Sequence, residues 1–128
     1  MPAWEDYKKS AKARGALGFE LYAVQTTPIG TPEEMQATLP DHFAYQAKLE
    51  AEGKLFLAGP MSDLTGEMME GIGLIIYRAS SMEEAVALAD ADPMHREKVR
   101  SYTLRKWMIN EGSPRIETGL SAQKVRLT

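Results

Sequence analysis

Residues 39–60 read LPDHFAYQAKLEAEGKLFLAGP, and this stretch contains the signals that decide the fold. Proline is favoured in the first turn of a helix, so Pro40 marks a helix start. Gly53 is typical of a helix end, because glycine accepts the left-handed conformation found there. The apolar residues that follow favour a strand. The stretch therefore predicts a helix that begins at Pro40 and ends at Gly53, followed by a strand over residues 54–61.

The remaining elements follow from the same kinds of signal. Thr31 and Pro32 predict a helical turn, which should end at Leu39 because a residue before proline avoids helical dihedral angles. The pattern Ser-x-x-Glu beginning at Ser81 is a capping box, and the helix behind it should end at Pro93. Alternating or apolar runs predict three more strands and a weak one, and amphipathic spacing predicts an N-terminal helix. The strands cover residues 19–27, 71–79, 101–110 and, weakly, 123–127, and the helix covers residues 3–14.

The predicted order is β-α-β-β-α-β, which is the ferredoxin-like arrangement of an antiparallel sheet with two helices on one face. We expect one domain with its core at about residues 19–110, a helical extension over 1–17 and a C-terminal extension over 111–128. The strand over 71–79 is apolar on both faces, so its second face needs a cover. A second copy of the sheet would supply that cover, and we therefore expect a homodimer that packs sheet to sheet.

Composition excludes several classes of function. The chain has 128 residues, no cysteine, 26% charged residues and a net charge of −3. Disulfide and thiolate chemistry are therefore excluded, and the acidic balance argues against nucleic-acid binding. No apolar run is long enough for a membrane helix, and the N-terminus lacks the apolar segment of a secretion signal. We expect a cytoplasmic protein that does not bind membranes.

The residues also resemble a known family, the YCII-related proteins. The resemblance covers about residues 19–110 and depends on an ordered set of motifs. These motifs are His42-x-x-Tyr45, Leu49, Gly53, Ala58-Gly59-Pro60, Ser81, Glu84-Ala85, Ala91-Asp92-Pro93 and Trp107. The resemblance implies a small α+β protein that forms a dimeric barrel. It also implies an active-site pair of one histidine and one aspartate, which fall on His42 and Asp92.

The residues themselves give separate reasons to consider this pair. With Pro40 at the helix start, His42 would lie in the first turn, where the positive end of the helix dipole favours a neutral ring. Asp92 would lie at the end of a helix, where a carboxylate needs a compensating partner. The alternatives are a histidine that closes its helix against a backbone carbonyl and a solvated aspartate in an Asp-Pro turn.

Four further residues are candidates for binding a substrate. Tyr45, Arg105 and Tyr22 could stabilise an oxyanion, although Tyr45 could equally be a core aromatic residue. Met61 could line an adaptable apolar pocket, with core packing as the alternative. We predict no cofactor. His42, Asp92 and His95 could in principle form a metal site, but His95 lies in the charged segment HREKVR, so we expect it to be solvated and predict no metal.

The sequence therefore predicts a small enzyme in which His42 and Asp92 transfer a proton. A lyase or isomerase acting on a small carbonyl or phenolic compound needs only a base and an oxyanion stabiliser. No serine or cysteine lies in a recognisable nucleophile turn. The alternatives are a non-catalytic module for ligand binding or dimerisation, and a haem or oxygen enzyme. The last is disfavoured because the sequence offers no evident axial histidine for a haem.

Overall fold

The computed structural model describes residues 1–128 and contains the predicted helices and strands. The helices are α1 Trp4–Ala13, α2 Pro32–Ala51, α3 Met82–Ala91 and α4 Pro93–Arg96. The strands are β1 Phe19–Pro28, β2 Leu55–Ser62, β3 Met69–Tyr77, β4 Arg100–Ile109, β5 Ile116–Gly119 and β6 Lys124–Leu127. The short helix α4 and strand β5 were not predicted.

Four strands form an antiparallel sheet in the order β2-β3-β1-β4. In the central pairing Tyr22 lies opposite Tyr77 and Val24 lies opposite Ile75. The element order and the strand order together confirm the predicted ferredoxin-like α+β fold.

The predicted division of α2 at Pro40 is wrong. Thr31 caps the helix as predicted, since its side chain accepts a hydrogen bond from the Glu34 N–H at 3.1 Å. However, Pro40 lies inside one continuous helix of 20 residues. A proline there removes one backbone hydrogen bond. Leu39 before the proline and Phe43 after it line the same cavity, so the uninterrupted helix forms one wall of that cavity.

The core lies between one face of the sheet and helices α2 and α3. Its buried residues come from β1, β3, α2 and α3 and are Tyr22, Val24, Leu49, Ile75, Tyr77, Ala85, Leu88 and Ala89. Because both helices bury apolar side chains against the same strands, the middle of α2 is held close to the end of α3. This packing brings together two segments that are distant in the sequence.

The far face of β3 corrects the argument for a second chain. Ile75 and Ile76 point to opposite faces of the sheet and are only 3% and 4% exposed within a single chain. The burial of this end of β3 therefore needs no partner, whereas Ile72 and Leu74, on the same face as Ile76, are only partly buried. Apolar side chains do remain exposed on the face away from the helices, where Leu57 is 51% and Trp107 is 44% exposed.

The contacts divide the chain into two compact units, Glu20–Trp107 and Met1–Phe19 with Met108–Thr128. In the smaller unit, β5 and β6 form an antiparallel hairpin, and β6 matches the weak strand predicted at the C-terminus. The Asn110 side chain donates to the Tyr7 hydroxyl at 3.1 Å. A single domain with two extensions stays a prediction. No helix in the chain combines the length and the apolar character that a membrane span requires.

Candidate active site

The predicted histidine and aspartate are in contact. His42 Nδ1 lies 2.8 Å from Asp92 Oδ1 and 3.0 Å from Asp92 Oδ2. A carboxylate only accepts hydrogen bonds, so the proton of a neutral His42 ring is on Nδ1. Nε2 is then an unprotonated acceptor, and no group in the chain is bonded to it. His42 therefore has the arrangement of a general base oriented by a carboxylate.

Asp92 lies at the junction of two helices. It ends α3 and also caps α4, where its Oδ1 accepts the Met94 N–H at 2.9 Å. The unfavourable position of Asp92 at the end of α3 was predicted, whereas its favourable position at the start of α4 was not. Asp92 is fully buried, so its charge depends on these two donors for compensation.

The predicted position of His42 within its helix is wrong. His42 lies in the middle of α2 and not in its first turn, so the helix dipole does not explain a neutral ring. The hydrogen bond to Asp92 sets the tautomer instead. The His42 side chain is 15% exposed, which is enough for one ring edge to be accessible.

His42 lines a cavity of about 540 Å³ between α2 and the sheet. Most of its walls are apolar and come from α2, β2 and β3, including Met35, Leu39, Phe43, Pro60, Met69 and Ile72. Four polar or charged side chains also line it, namely Thr26, His42, Gln46 and Arg100. Apolar walls with a few convergent polar groups are typical of small-molecule sites.

A chain of hydrogen bonds holds Arg100 at the cavity. Its Nε donates to Thr26 Oγ1 at 2.9 Å, and its Nη2 donates to the backbone oxygens of Thr26 and Gly71. The Thr26 hydroxyl in turn lies 2.9 Å from His95 Nε2. His95 Nδ1 lies 2.7 Å from the Ala89 carbonyl, which can only accept. Neutral His95 therefore has its proton on Nδ1 and accepts the Thr26 hydroxyl at Nε2.

The prediction that His95 is solvated is wrong. Burial lowers the pKa of His95, and Arg100 and His42 act in the same direction, whereas the Ala89 carbonyl and Asp92 oppose it. Both ring nitrogens are engaged by hydrogen bonds, so neither is free to bind a metal. No group of three potential ligands in the chain is arranged to hold a metal ion.

The lowered pKa of His95 predicts a pH dependence of stability. An unfolded histidine keeps its ordinary pKa of 6.5, so below that pH the unfolded chain binds more protons than the folded chain. The free energy of unfolding should therefore fall as the pH falls from about 6.5 towards the lower folded pKa. We expect His95→Gln to lose less melting temperature between pH 7 and pH 5 than the wild type does.

A matched control variant separates the contribution of His95 from that of the other histidine. His42→Gln removes the other histidine and should keep the part of the pH dependence that comes from His95. Equal slopes of melting temperature against pH in wild type and His95→Gln would contradict the assignment.

None of the four predicted binding residues lines the cavity. The Tyr45 hydroxyl donates to the Leu88 carbonyl at 2.7 Å, and burial raises its pKa to about 12. Tyr22 is buried in the core, and Arg105 is exposed on β4. Met61 is half-buried on β2. Substrate binding by these residues stays a prediction, and their placement in a single chain does not support it.

Arg100 and Thr26 are the site residues that the sequence analysis missed. Side chains alternate between the two faces of the sheet along β4, and this alternation would have indicated Arg100. Tyr102 and Leu104 pack against the core, and Arg100 lies an even number of residues before them, so it points to the same face. Arg105 lies an odd number of residues from them and therefore points to the other face. No comparable signal in the sequence marks Thr26.

The fold and the site define a small ferredoxin-like α+β protein with a histidine–carboxylate pair at an apolar cavity. Residues 19–108 match the model of the YCII-related domain, and the chain therefore belongs to the YCII-related family, as the motifs indicated. The uncharacterised protein YjpA of Bacillus subtilis (strain 168) is 28% identical over 91 residues, which cover 71% of this chain and 100% of YjpA.

A solved structure shares the fold. The chain matches the 5-chloro-2-hydroxyhydroquinone dehydrochlorinase TftG of Burkholderia phenoliruptrix AC1100, in complex with 2,5-dihydroxybenzoquinone, with a TM-score of 0.52 and 17% identity. The match covers 79% of this chain and 97% of TftG. At this level of identity the similarity is one of fold.

Proposed function

We propose that this protein is a small lyase or isomerase that uses His42 and Asp92 to transfer a proton on a compact carbonyl or phenolic compound. One observation carries the proposal: a buried carboxylate 2.8 Å from Nδ1 orients a histidine whose other nitrogen has no partner and which lines a cavity. The same hydrogen bond compensates the buried Asp92 carboxylate, but it leaves the second ring nitrogen of His42 without a partner at the cavity, as a general base requires.

The reaction follows from the two ring nitrogens. Nε2 of His42 takes a proton from a carbon next to the substrate carbonyl, and the electron pair of that C–H bond moves to form an enolate. Asp92 stabilises the imidazolium through Nδ1. The enolate then collapses in one of two ways. Return of the proton to a different carbon completes an isomerisation, and departure of a leaving group with its electron pair completes an elimination.

Similarity to TftG supports the elimination route. TftG is a dehydrochlorinase whose structure was solved in complex with 2,5-dihydroxybenzoquinone, so a chain of this fold can bind a compact cyclic carbonyl compound. The apolar walls around His42 are compatible with a ligand of this kind. We therefore place cyclic enols, phenols and quinones first among the substrate classes.

A thermal-shift screen followed by a turnover assay tests the proposal. The screen contains 2,5-dihydroxybenzoquinone, small organic acids, lactones and catechols. We expect ligands of the site to raise the melting temperature in proportion to the logarithm of their concentration once it exceeds Kd. Hits are then followed by NMR for proton exchange or loss of a leaving group. Proton exchange at equal rates in wild type and His42→Gln would overturn the proposal.

The cavity also supports a second candidate, a non-catalytic ligand-binding module. Its volume of about 540 Å³ could hold a ligand whether or not a proton moves. Ligands that raise the melting temperature and are never turned over would favour this alternative.

We also propose that the protein is a homodimer that packs sheet to sheet. The exposed Leu57 and Trp107 on the face away from the helices support this assembly. Trp107→Glu would place a charge in that interface, so we expect its dimer dissociation constant to rise by at least about tenfold in sedimentation experiments. Ile116→Glu is a matched control on an exposed apolar residue of β5. A wild-type chain that sediments as a monomer at high concentration would contradict the proposal.

A further inference from the structure

We propose that Arg100 makes this cavity selective for compact organic anions, whose carboxylate or phenolate oxygen binds its free guanidinium nitrogen Nη1. The inference deepens the proposed function by naming a property of the substrate, and for the reaction it rests on that function. Its binding component can be tested separately.

The first support is the set of hydrogen bonds made by the guanidinium. An arginine side chain has five N–H donors. Nε and Nη2 of Arg100 are engaged by Thr26 and Gly71, which accounts for three of them. Nη1 makes no hydrogen bond within the chain, so its two N–H groups are available to a ligand.

The second support is the charge balance of the cavity. Arg100 is half-buried, makes no ion pair within the chain, and is the only formally charged residue among those that line the cavity. Asp92 does not line the cavity, and its carboxylate accepts hydrogen bonds from His42 and Met94. Burial lowers the pKa of Arg100, and the charge of the buried Asp92 carboxylate opposes this shift only in part. An anion in the cavity would add a counter-charge in direct contact with the guanidinium, and a charge-assisted bond there is stronger than a neutral one.

Thr26 and His95 act as positioning residues. His95 Nε2 accepts a hydrogen bond from the Thr26 hydroxyl, which leaves the lone pairs of Thr26 Oγ1 available to the N–H of Arg100 Nε. The bond from His95 Nδ1 to Ala89 fixes the ring in the tautomer that this arrangement needs. The guanidinium is therefore fixed in one orientation before a ligand arrives, and less entropy is lost on binding.

Arg100 and His42 line the same cavity from different elements, β4 and α2. A ligand whose anionic oxygen is bound by Arg100 would have its remaining atoms in the cavity that Nε2 of His42 also faces. The arginine would also stabilise the negative charge that develops when the proton leaves. This arrangement assigns to Arg100 the oxyanion role that the sequence analysis sought in Arg105.

Calorimetric titration of the full chain with matched anionic and neutral probes tests the inference. The pairs are benzoate with benzamide, for a carboxylate, and 4-nitrophenolate with 4-nitrobenzyl alcohol, for a phenolate. We expect at least one anion to bind the wild type about tenfold or more tightly than its neutral partner, because its anionic oxygen forms a charge-assisted hydrogen bond with Arg100. Equal affinities within both pairs, or no binding by either anion, would overturn the inference. This comparison needs no variant.

Variants locate the effect. Arg100→Gln should weaken anion binding by about tenfold or more and leave neutral probes unchanged. Arg105→Gln removes the same charge from the opposite face of β4 and compares the two candidate arginines directly: if Arg100 binds the anion, Arg105→Gln keeps wild-type affinities. Thr26→Val should weaken anion binding more than the binding of neutral probes. A general loss of structure would weaken both kinds of binding alike. An equal loss of anion binding in Arg105→Gln and Arg100→Gln would contradict the assignment.

The two proposals fail separately. His42→Gln should keep the anion preference, since Arg100 is untouched. An anion preference with turnover that does not depend on His42 would remove the proposed function alone. Turnover that depends on His42, without any anion preference, would remove the role of Arg100 alone.

Discussion

A fall in kcat of about 10²–10⁴-fold is the expected result of His42→Gln, because that is the range that a positioned general base contributes. Glutamine fills a similar volume and can donate to Asp92, but it cannot take up a proton. We expect Asp92→Asn to cause a loss of similar size. Its amide would present an N–H to His42 Nδ1 and so favour the opposite tautomer, in which Nε2 is already protonated.

Stability measurements separate catalysis from structure in these variants. Asparagine at position 92 keeps an oxygen for the Met94 N–H, so the fold should tolerate the change. Asp41→Asn is the matched control, because Asp41 is exposed and adjacent to His42 in the sequence. It should leave activity and melting temperature unchanged. If His42→Gln and Asp92→Asn each lower the free energy of unfolding by more than about 3 kcal/mol, the pair is structural.

The second large effect is expected at Leu49. This residue lies on α2, seven positions after His42, and is 2% exposed within the core cluster. Leu49→Ala should lower the free energy of unfolding by about 2–5 kcal/mol, as loss of a buried leucine leaves a cavity. Urea unfolding followed by circular dichroism measures the change. Because Leu49 packs the helix that bears His42 against the core, the remaining folded protein should also show a higher KM in the proposed reaction.

Leu64→Ala is the control for this core variant. Leu64 is fully exposed in the loop between β2 and β3, so we expect a change within about 0.5 kcal/mol. Similar losses at Leu49 and Leu64 would mean that the cluster around Leu49 is not the core of this fold.

The fold was predictable because its signals are local and mutually consistent. Alternating strands, the Thr31 and Ser81 caps and the stop at Gly53 each act over a few residues. The helix boundary at Pro40 was the exception. There the local preference of the residue before proline does not end the helix, and neighbouring residues alone do not reveal this.

The site was only partly predictable. His42 and Asp92 were identified because the family motifs mark them, although the dipole argument for His42 was wrong and α4 was missed. Arg100 was overlooked in favour of Arg105, and only the parity of β4 distinguishes the two. His95 was judged from its charged neighbours, whereas its environment depends on Thr26 and Ala89, which lie on other segments.

In the proposed mechanism His42 presents an unprotonated Nε2 to the cavity, because the hydrogen bond to Asp92 keeps the ring proton on Nδ1. Nitrogen-15 NMR of histidine-labelled protein, recorded at the pH of maximal turnover, observes this tautomer. We expect His42 to have a protonated Nδ1 and an unprotonated Nε2, and we expect Asp92→Asn to reverse this pattern. A wild-type His42 with its proton on Nε2, or with both nitrogens protonated, would rule out the proposed mechanism.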